Sequence, residues 1–347
     1  MKMILLAALL LPLAGFAQPA PPAVLASRLV YEPGPHPECH ASTIVETAPG
    51  RFVAAWFGGT KERNPDVGIW VAHLQDGKWS APVEVANGVQ AEGPRLPTWN
   101  PVLFAPKDAP LHLFYKVGPS PSRWWGMVMT SSDGGGSWGA PRRLPDGILG
   151  PVKNKPVVLA DGAWLSASST EGNPDGWLVH FERSRDQGRT WEKIGPVGKG
   201  PAFDAIQPSI LFHAGGKLQA LCRSKQGVVA QTWSADGGAT WSALTAIDLP
   251  NPNSGTDAVT LADGRQLLVY NHSGHRANEP KGNRWPLAVA VSRDGLTWER
   301  VLTLETEPCT SGYAYPAVIQ ASDGKVHVTY TWDRKRIKHV VLDPTKF

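Results

Sequence analysis

Six polar residues stand where six apolar runs begin: His40, Asn100, Lys155, Gln207, Asp257 and Tyr315. Side chains of this kind at equivalent strand starts serve no apolar core, and a ring of them suggests a site. His40 brings an imidazole that titrates near the working pH, suited to binding a substrate or moving a proton. The ends of the second strands and the loops that follow add more polar groups. They include Arg223, the segment Gly58–Asp66 with Glu62, the segment Glu171–Asp175, and the stretch from His272 to Arg284. Arg95 lies just ahead of Trp99-Asn100. Guanidinium groups so placed can take a carboxylate with two parallel hydrogen bonds. Trp124, Trp125 and Trp285 offer flat apolar faces on which a sugar ring could stack, or else pack the core. The one His pair at i, i+4 spacing, His36 and His40, spans Pro37, which does not suit a helix, so neither a metal nor a cofactor is expected.

The elements that must carry these residues are repeated. Each of the six runs is followed by a turn and a second apolar run, with turns at Pro49-Gly50, Lys107–Pro110, Asp161-Gly162, Gly215-Gly216, Asp263-Gly264 and Asp323-Gly324. Alternating β-branched residues about such turns read as hairpins. Between the hairpins runs a second cadence, Ser-x-Asp-x-Gly-x-Thr-Trp. It appears as Ser131 to Trp138, Ser184 to Trp191 and Ser234 to Trp241, one residue short as Ser292 to Trp298, and worn as Asp76-Gly77-Lys78-Trp79. The tryptophans recur at about the length of one four-stranded blade, so an all-β, six-bladed propeller of antiparallel blades is expected. In such a blade the box occupies the later turn, at the same end as the first turn. The boxes therefore belong on the face opposite the six polar strand starts. They read as fold staples, with Asp and Ser bonding turn amides and Trp packing between blades.

With the boxes and hairpins in place, the chain resembles the sialidase (neuraminidase) superfamily, and within it the divergent bacterial proteins with BNR/Asp-box repeats. The resemblance implies an exo-acting glycoside hydrolase that releases a terminal acidic sugar, with three arginines on the substrate carboxylate, a Tyr paired with a Glu as nucleophile, and an Asp as acid/base. Tyr315, in Ala314-Tyr315-Pro316, is similar to that Tyr. Arg223 and Arg284 match the second and third arginines, and Asp66 lies where the acid/base is expected, with Glu62 as the competing candidate. Two departures stand out. His40-Ala41-Ser42 replaces the family's Arg-Ile-Pro, and Gln207-Pro208 replaces its Glu-Pro step. A phenol of ordinary pKa, near 10, needs a base to become a nucleophile, and an amide is none. Glu171, Asp257 or Asp204 would have to take that part, and Arg95 could replace the missing arginine. Asn100, Lys155, Gln207 and Asp257 are expected to line the substrate site. A His40–Tyr315 pair without the activating Glu also suits a polysaccharide lyase acting on a uronate, and a carbohydrate-binding propeller without catalysis is the third reading.

The chain of 347 residues suits one closed β domain over 18–347. Met1-Lys2 followed by an apolar run and Gly15-Phe16-Ala17 reads as a signal peptide over 1–17, with no Cys at the cleavage region, so a periplasmic or secreted protein is expected. Cys39, Cys222 and Cys309 allow one disulfide at most, or three free thiols. A net charge of +4, or +3 without Lys2, suits an acidic glycan and excludes a nucleic-acid partner. No membrane association is expected, and the protein is read as a monomer.

Overall fold

The computed structural model describes residues 22–172, 176–197 and 203–347. The signal-peptide segment 1–17 lies outside them. Six antiparallel sheets follow one another around a ring as the blades of a propeller. The first blade is built from Glu38–Ala48, Arg51–Gly59 and Gly68–Gln75, with Lys78–Trp79 and Val83–Ala86 both pairing on its third strand. The sixth blade takes Tyr313–Gln320, Val326–Trp332 and Arg336–Leu342 from the C-terminal end of the chain. Its outer strand, Val24–Leu29, comes from the N-terminal side. The ring is thus closed by strand pairing across the two ends of the described chain, which covers an edge that would otherwise stay open.

The Ser/Asp boxes do what their chemistry dictates. The Ser131 hydroxyl donates to Asp133 Oδ1 (2.7 Å) and accepts from the Gly135 amide (2.7 Å), while Asp133 takes both the amide and the hydroxyl of Ser137. The same net recurs around Asp186 and Asp236, and around Asp294 with the amide of Thr297 but not its hydroxyl. Bonds from Ser137 and Ser131 hold the Asp133 carboxyl well below the usual range. The box tryptophans wedge between blades: Trp241 stacks on Phe181 of the preceding blade with ring centroids 3.8 Å apart. Asp133 and Gly134 border Thr47, Ala48 and Arg51 at the first hairpin turn of the first blade. The boxes therefore occupy the turn face, and the polar strand starts occupy the other.

Cys39 and Cys222 are buried and Cys309 is partly buried; all three are free thiols. Among the described residues no helix is long and apolar enough to cross a membrane.

Candidate active site

A recurrent bulge aims side chains at the propeller axis. The inner strands of blades one, two, four and six each slip register near their start, at His40/Thr43, Trp99/Val102, Ile206/Ser209 and Ala314/Ala317. Within each bulge one non-glycine residue takes a left-handed backbone: Ala41 (φ 58°), Asn100 (φ 37°), Gln207 (φ 60°) and Tyr315 (φ 53°). Such conformations cost about 1–3 kcal/mol each and persist only where the surroundings impose them. In the first blade Ala41 holds the left-handed place, and His40 comes one residue earlier. His40 therefore enters the site by a different route from Tyr315, although the sequence pattern put them in one ring.

Tyr315 is the hub. Its hydroxyl oxygen accepts hydrogen bonds from Arg223 Nη1 and from Gln207 Nε2, each at 2.9 Å. Neither partner can take the phenol's proton. The Arg284 guanidinium lies 5.9 Å from the Tyr315 ring centroid. The His40 ring lies 4.1 Å from it, centroid to centroid. Arg223 is held on two further sides: its Nε donates to Asn253 Oδ1 (2.7 Å) and its plane lies over Trp177 at 5.0 Å. Burial, then the charge of Arg223, pushes Arg284 down to about 10, with Tyr315 opposing that drop and Arg334 adding to it.

Arg334 is the residue that reasoning from sequence missed. It sits in the tight turn Trp332–Lys335, where Asp333 (φ 49°) and Arg334 (φ 59°) are both left-handed and Lys335 N donates to Trp332 O (3.0 Å). That is a type I′ hairpin turn made without the usual Asn or Gly. The Asp333 carboxylate, accepting from Ser311 N and Lys335 Nζ, and the Arg334 carbonyl, accepting from Cys39 N (2.7 Å), hold the turn in place. Arg334 Nη1 pairs with Glu62 Oε2 at 2.5 Å. Arg223, Arg284 and Arg334 all act electrostatically on His40, so one cluster unites them. The signal was present in topology: this turn joins a second to a third strand, and such turns lie on the site face.

Two carboxylates face the cluster. Glu62 holds Arg334. Glu171, at the end of Trp164–Gly172, is raised above the usual carboxylate range by burial, against the pull of Arg223 and Lys225. Asp66 is placed differently. It is exposed, and its Oδ2 accepts from Thr60 N (2.7 Å) and Thr60 Oγ1 (2.6 Å), closing the loop between them. Partial desolvation pushes its carboxyl up, but the Thr60 bonds outweigh that and leave it lowered. Arg95 donates to the Asp66 carbonyl (3.0 Å) and pairs with Glu84 (3.7 Å), so it is engaged on the rim of the first blade.

Beneath Tyr315 lies Lys153. It is 4% exposed, and its Nζ donates to Asn154 Oδ1 (2.7 Å), Thr256 O (2.9 Å) and Pro316 O (2.5 Å). Burial pushes it down to about 7, with Asp257 pulling the other way. Asn154 in turn donates to the carbonyls of Gln207 (2.9 Å) and Pro208 (3.3 Å). Lys155 and Asp257, expected to line the substrate site, are committed to each other: Nζ lies 2.9 and 3.0 Å from the two carboxylate oxygens and 2.9 Å from Ala258 O. Asp257 also accepts from Ser209 Oγ and Val318 N, which makes the pair a clamp across four blades. Asn100, at its bulge, has no side-chain partner among the described residues. Trp124 packs on Trp99, Trp125 lies under Arg143, and Trp285 packs against the core between the fifth and sixth blades. The indole beside Arg223 is Trp177, which Lys225 also covers. Among the described residues no group of three or more His, Cys, Asp or Glu is arranged to hold a metal ion.

Comparisons with known proteins agree with this architecture. The family model described as BNR repeat-like domain matches residues 50–328. No curated protein matches the chain. Among solved structures, a protein of unknown function from Dyadobacter fermentans superposes with a TM-score of 0.75 at 19% identity, over 92% of this chain and 98% of that one. A Hadza microbial sialidase gives 0.77 at 15%, over 92% and 68%. The NanB sialidase from Streptococcus pneumoniae gives 0.71 at 14%, over 92% and 71%. At these identities the likeness shows the fold alone. With most of its length matched by the family model, and with four of its six blades stapled by Ser/Asp boxes, the chain belongs to the BNR repeat-like domain family.

Proposed function

We propose that the protein is an exo-acting glycoside hydrolase that releases a terminal acidic sugar, sialic acid or a related 2-keto acid, from a glycan. The observation that carries this reading is the convergence of Arg223 and Arg284 on Tyr315, with Arg334 close enough to act on Arg284 and His40. Guanidinium groups clustered about one phenol form a cationic pocket for a carboxylate held beside the reacting carbon. Arg223 and Arg284 take the substrate carboxylate, and Arg334 supplies the charge that the first blade lacks. Tyr315 attacks or stabilises the anomeric centre. Glu171 replaces Asp66 as the acid that protonates the leaving oxygen, because burial keeps its proton on at higher pH, as a general acid requires. Gln207 donates to Tyr315 and so cannot polarise it as a base; with Glu171 holding the proton for the leaving oxygen, a nucleophilic Tyr315 would have to pass its own proton to the other carboxylate of the cluster, Glu62. The Met1–Ala17 segment supports export to the periplasm or beyond, where such glycans are met.

Elimination from a uronate is the second reading, favoured by the 4.1 Å contact of His40 with Tyr315. One assay separates the two. The protein is incubated with a fluorogenic sialoside and with a panel of uronate glycans, and released sugar and new near-ultraviolet absorbance are both recorded. Sialoside cleavage without new absorbance is expected. Arg334→Ala should lower kcat/KM by roughly 10–100-fold, the weight of one charge-assisted bond pair, and Tyr315→Phe should abolish measurable turnover. Cleavage indifferent to both substitutions would sink this site, and an unsaturated product would favour the lyase.

A further inference from the structure

His40 is the family departure at the centre of the site, and its surroundings determine which of its nitrogens carries the proton. Thr331 Oγ1 lies 3.0 Å from His40 Nδ1 and 3.1 Å from Ala41 N. The Ala41 amide can only donate, so it takes one lone pair of the hydroxyl oxygen. Thr331 is fully buried and has no other side-chain hydroxyl partner among the described residues. Its own proton therefore goes to His40 Nδ1, since the opposite assignment would leave a buried hydroxyl proton with no acceptor. A neutral imidazole whose Nδ1 accepts carries its proton on Nε2. The ring is held between the Tyr315 ring at 4.1 Å and the edge of Phe57 at 5.7 Å. Nε2 has no hydrogen-bond partner among the described residues, and its ring lies against Tyr315, the hub of the site.

We infer that Thr331 locks His40 as the neutral Nε2–H tautomer, so that His40 serves the site as a fixed hydrogen-bond donor to an oxygen of the substrate's acidic group and not as a base. The charged groups that face the ring point the same way. Arg334 from the sixth blade, Arg284 from the fifth, Arg223 from the fourth and Lys153 from the third all oppose a positive charge there, after burial itself. Glu62 of the first blade, which could offset those charges, is already paired with Arg334. A neutral donor in the place of a guanidinium also explains why Arg334 reaches in from the neighbouring blade: His40 keeps a hydrogen bond for the substrate, and Arg334 restores the charge. The donor role rests on the acidic-sugar reading above; the tautomer does not.

The tautomer is measured on the free protein labelled with ¹³C,¹⁵N-histidine, the His40 signals being identified by their loss in His40→Gln. The expected result is one protonated Nε2 and one unprotonated Nδ1, unchanged between about pH 6 and pH 8. Thr331→Val should bring in the Nδ1–H form, and Thr331→Ser should keep the original. A protonated Nδ1 or an imidazolium in the wild-type protein would overturn the inference. Its donor role is read by calorimetric titration with free sialic acid and with glucuronic acid. His40→Leu should weaken binding of the better ligand by tenfold or more, and His40→Gln, which retains an N–H near the same place, should lose several-fold less. Strong wild-type binding left intact by His40→Leu would refute the donor alone. Absence of binding to either sugar by the wild-type protein would instead remove the acidic-sugar reading and the donor with it, while the tautomer measurement stands apart.

Discussion

At the scale of single residues, two carboxylates compete for one role, and their environments part them. Asp66 is an exposed turn staple whose proton leaves early, because Thr60 solvates the carboxylate twice over. Glu171 is half-buried near Arg223, and desolvation outweighs the attraction of the cations, so its proton is kept to higher pH. The direction of the pH profile follows. Turnover requiring protonated Glu171 should fall as pH rises through that raised pKa, giving the alkaline limb of kcat/KM. Glu171→Gln should remove the limb and lower kcat by about 100-fold or more, whereas Asp66→Asn should leave the limb in place and act mainly on the stability of its loop. A pH–rate profile of both variants checks this, and an alkaline limb lost only in Asp66→Asn would reverse the assignment. The preference for Asp66 in the sequence had a clear cause. Position after the first hairpin was visible, whereas the hydrogen bonds of Thr60 and the burial of Glu171 are products of folding.

Among elements, the bulge decides what the site can hold. Alternation along the chain marks the inner strands, and proline after Asn100, Gln207 and Tyr315 is the trace their bulges leave in the sequence. The extra residue itself is invisible to alternation, which is why Lys155 and Asp257 were expected in a ring they do not share. In the third and fifth blades there is no such register slip, and those two side chains turn to each other. Lys153 and Asn154 instead tie the bulges of Tyr315 and Gln207 together from below. Gly255 leaves room for that tie. A Cβ there would meet Lys153 Cε at 3.1 Å, and Gln207 Oε1 and Tyr315 Cδ2 at 3.2 Å each. Gly255→Ala should therefore displace the hub by a few tenths of an ångström. Since misplacement on that scale disturbs a preorganised site more than a fold, kcat/KM should drop by roughly tenfold while the melting temperature moves little. Lys153→Met should do both, because it strips three buried acceptors of their donor and costs about 3 kcal/mol or more. A Gly255→Ala variant with unchanged kinetics would show that the tie does not position Tyr315.

For the whole molecule, the blade count, the box staples and the face on which the site lies were legible because each rests on a short repeat with its own local chemistry. The closure of the ring was not legible, because it depends on two segments about three hundred residues apart in the chain. Val24–Leu29 reads as an ordinary short strand. Its register partners, Leu342 through Lys338, become identifiable only when the sixth blade is found to lack an outer strand of its own. The pairing continues past the strand, where Val30 N donates to Ile337 O (2.8 Å), and precedes it, where Asp343 N donates to Ala23 O (2.8 Å). Removing this segment would unpair Arg336–Leu342 and expose a β edge beside the hairpin that carries Arg334. A variant beginning at Tyr31 should therefore unfold at a temperature lower by about 4–5 °C or more, a loss of about 3 kcal/mol on a domain of this size, and should associate through its open edge. A variant beginning at Gln18 should do neither. Calorimetry with size-exclusion chromatography reads both effects, and sialoside turnover in the shortened protein should fall together with its folded fraction. Equal melting temperatures for the two variants would mean that packing between blades, and not the closing strand, holds the ring together.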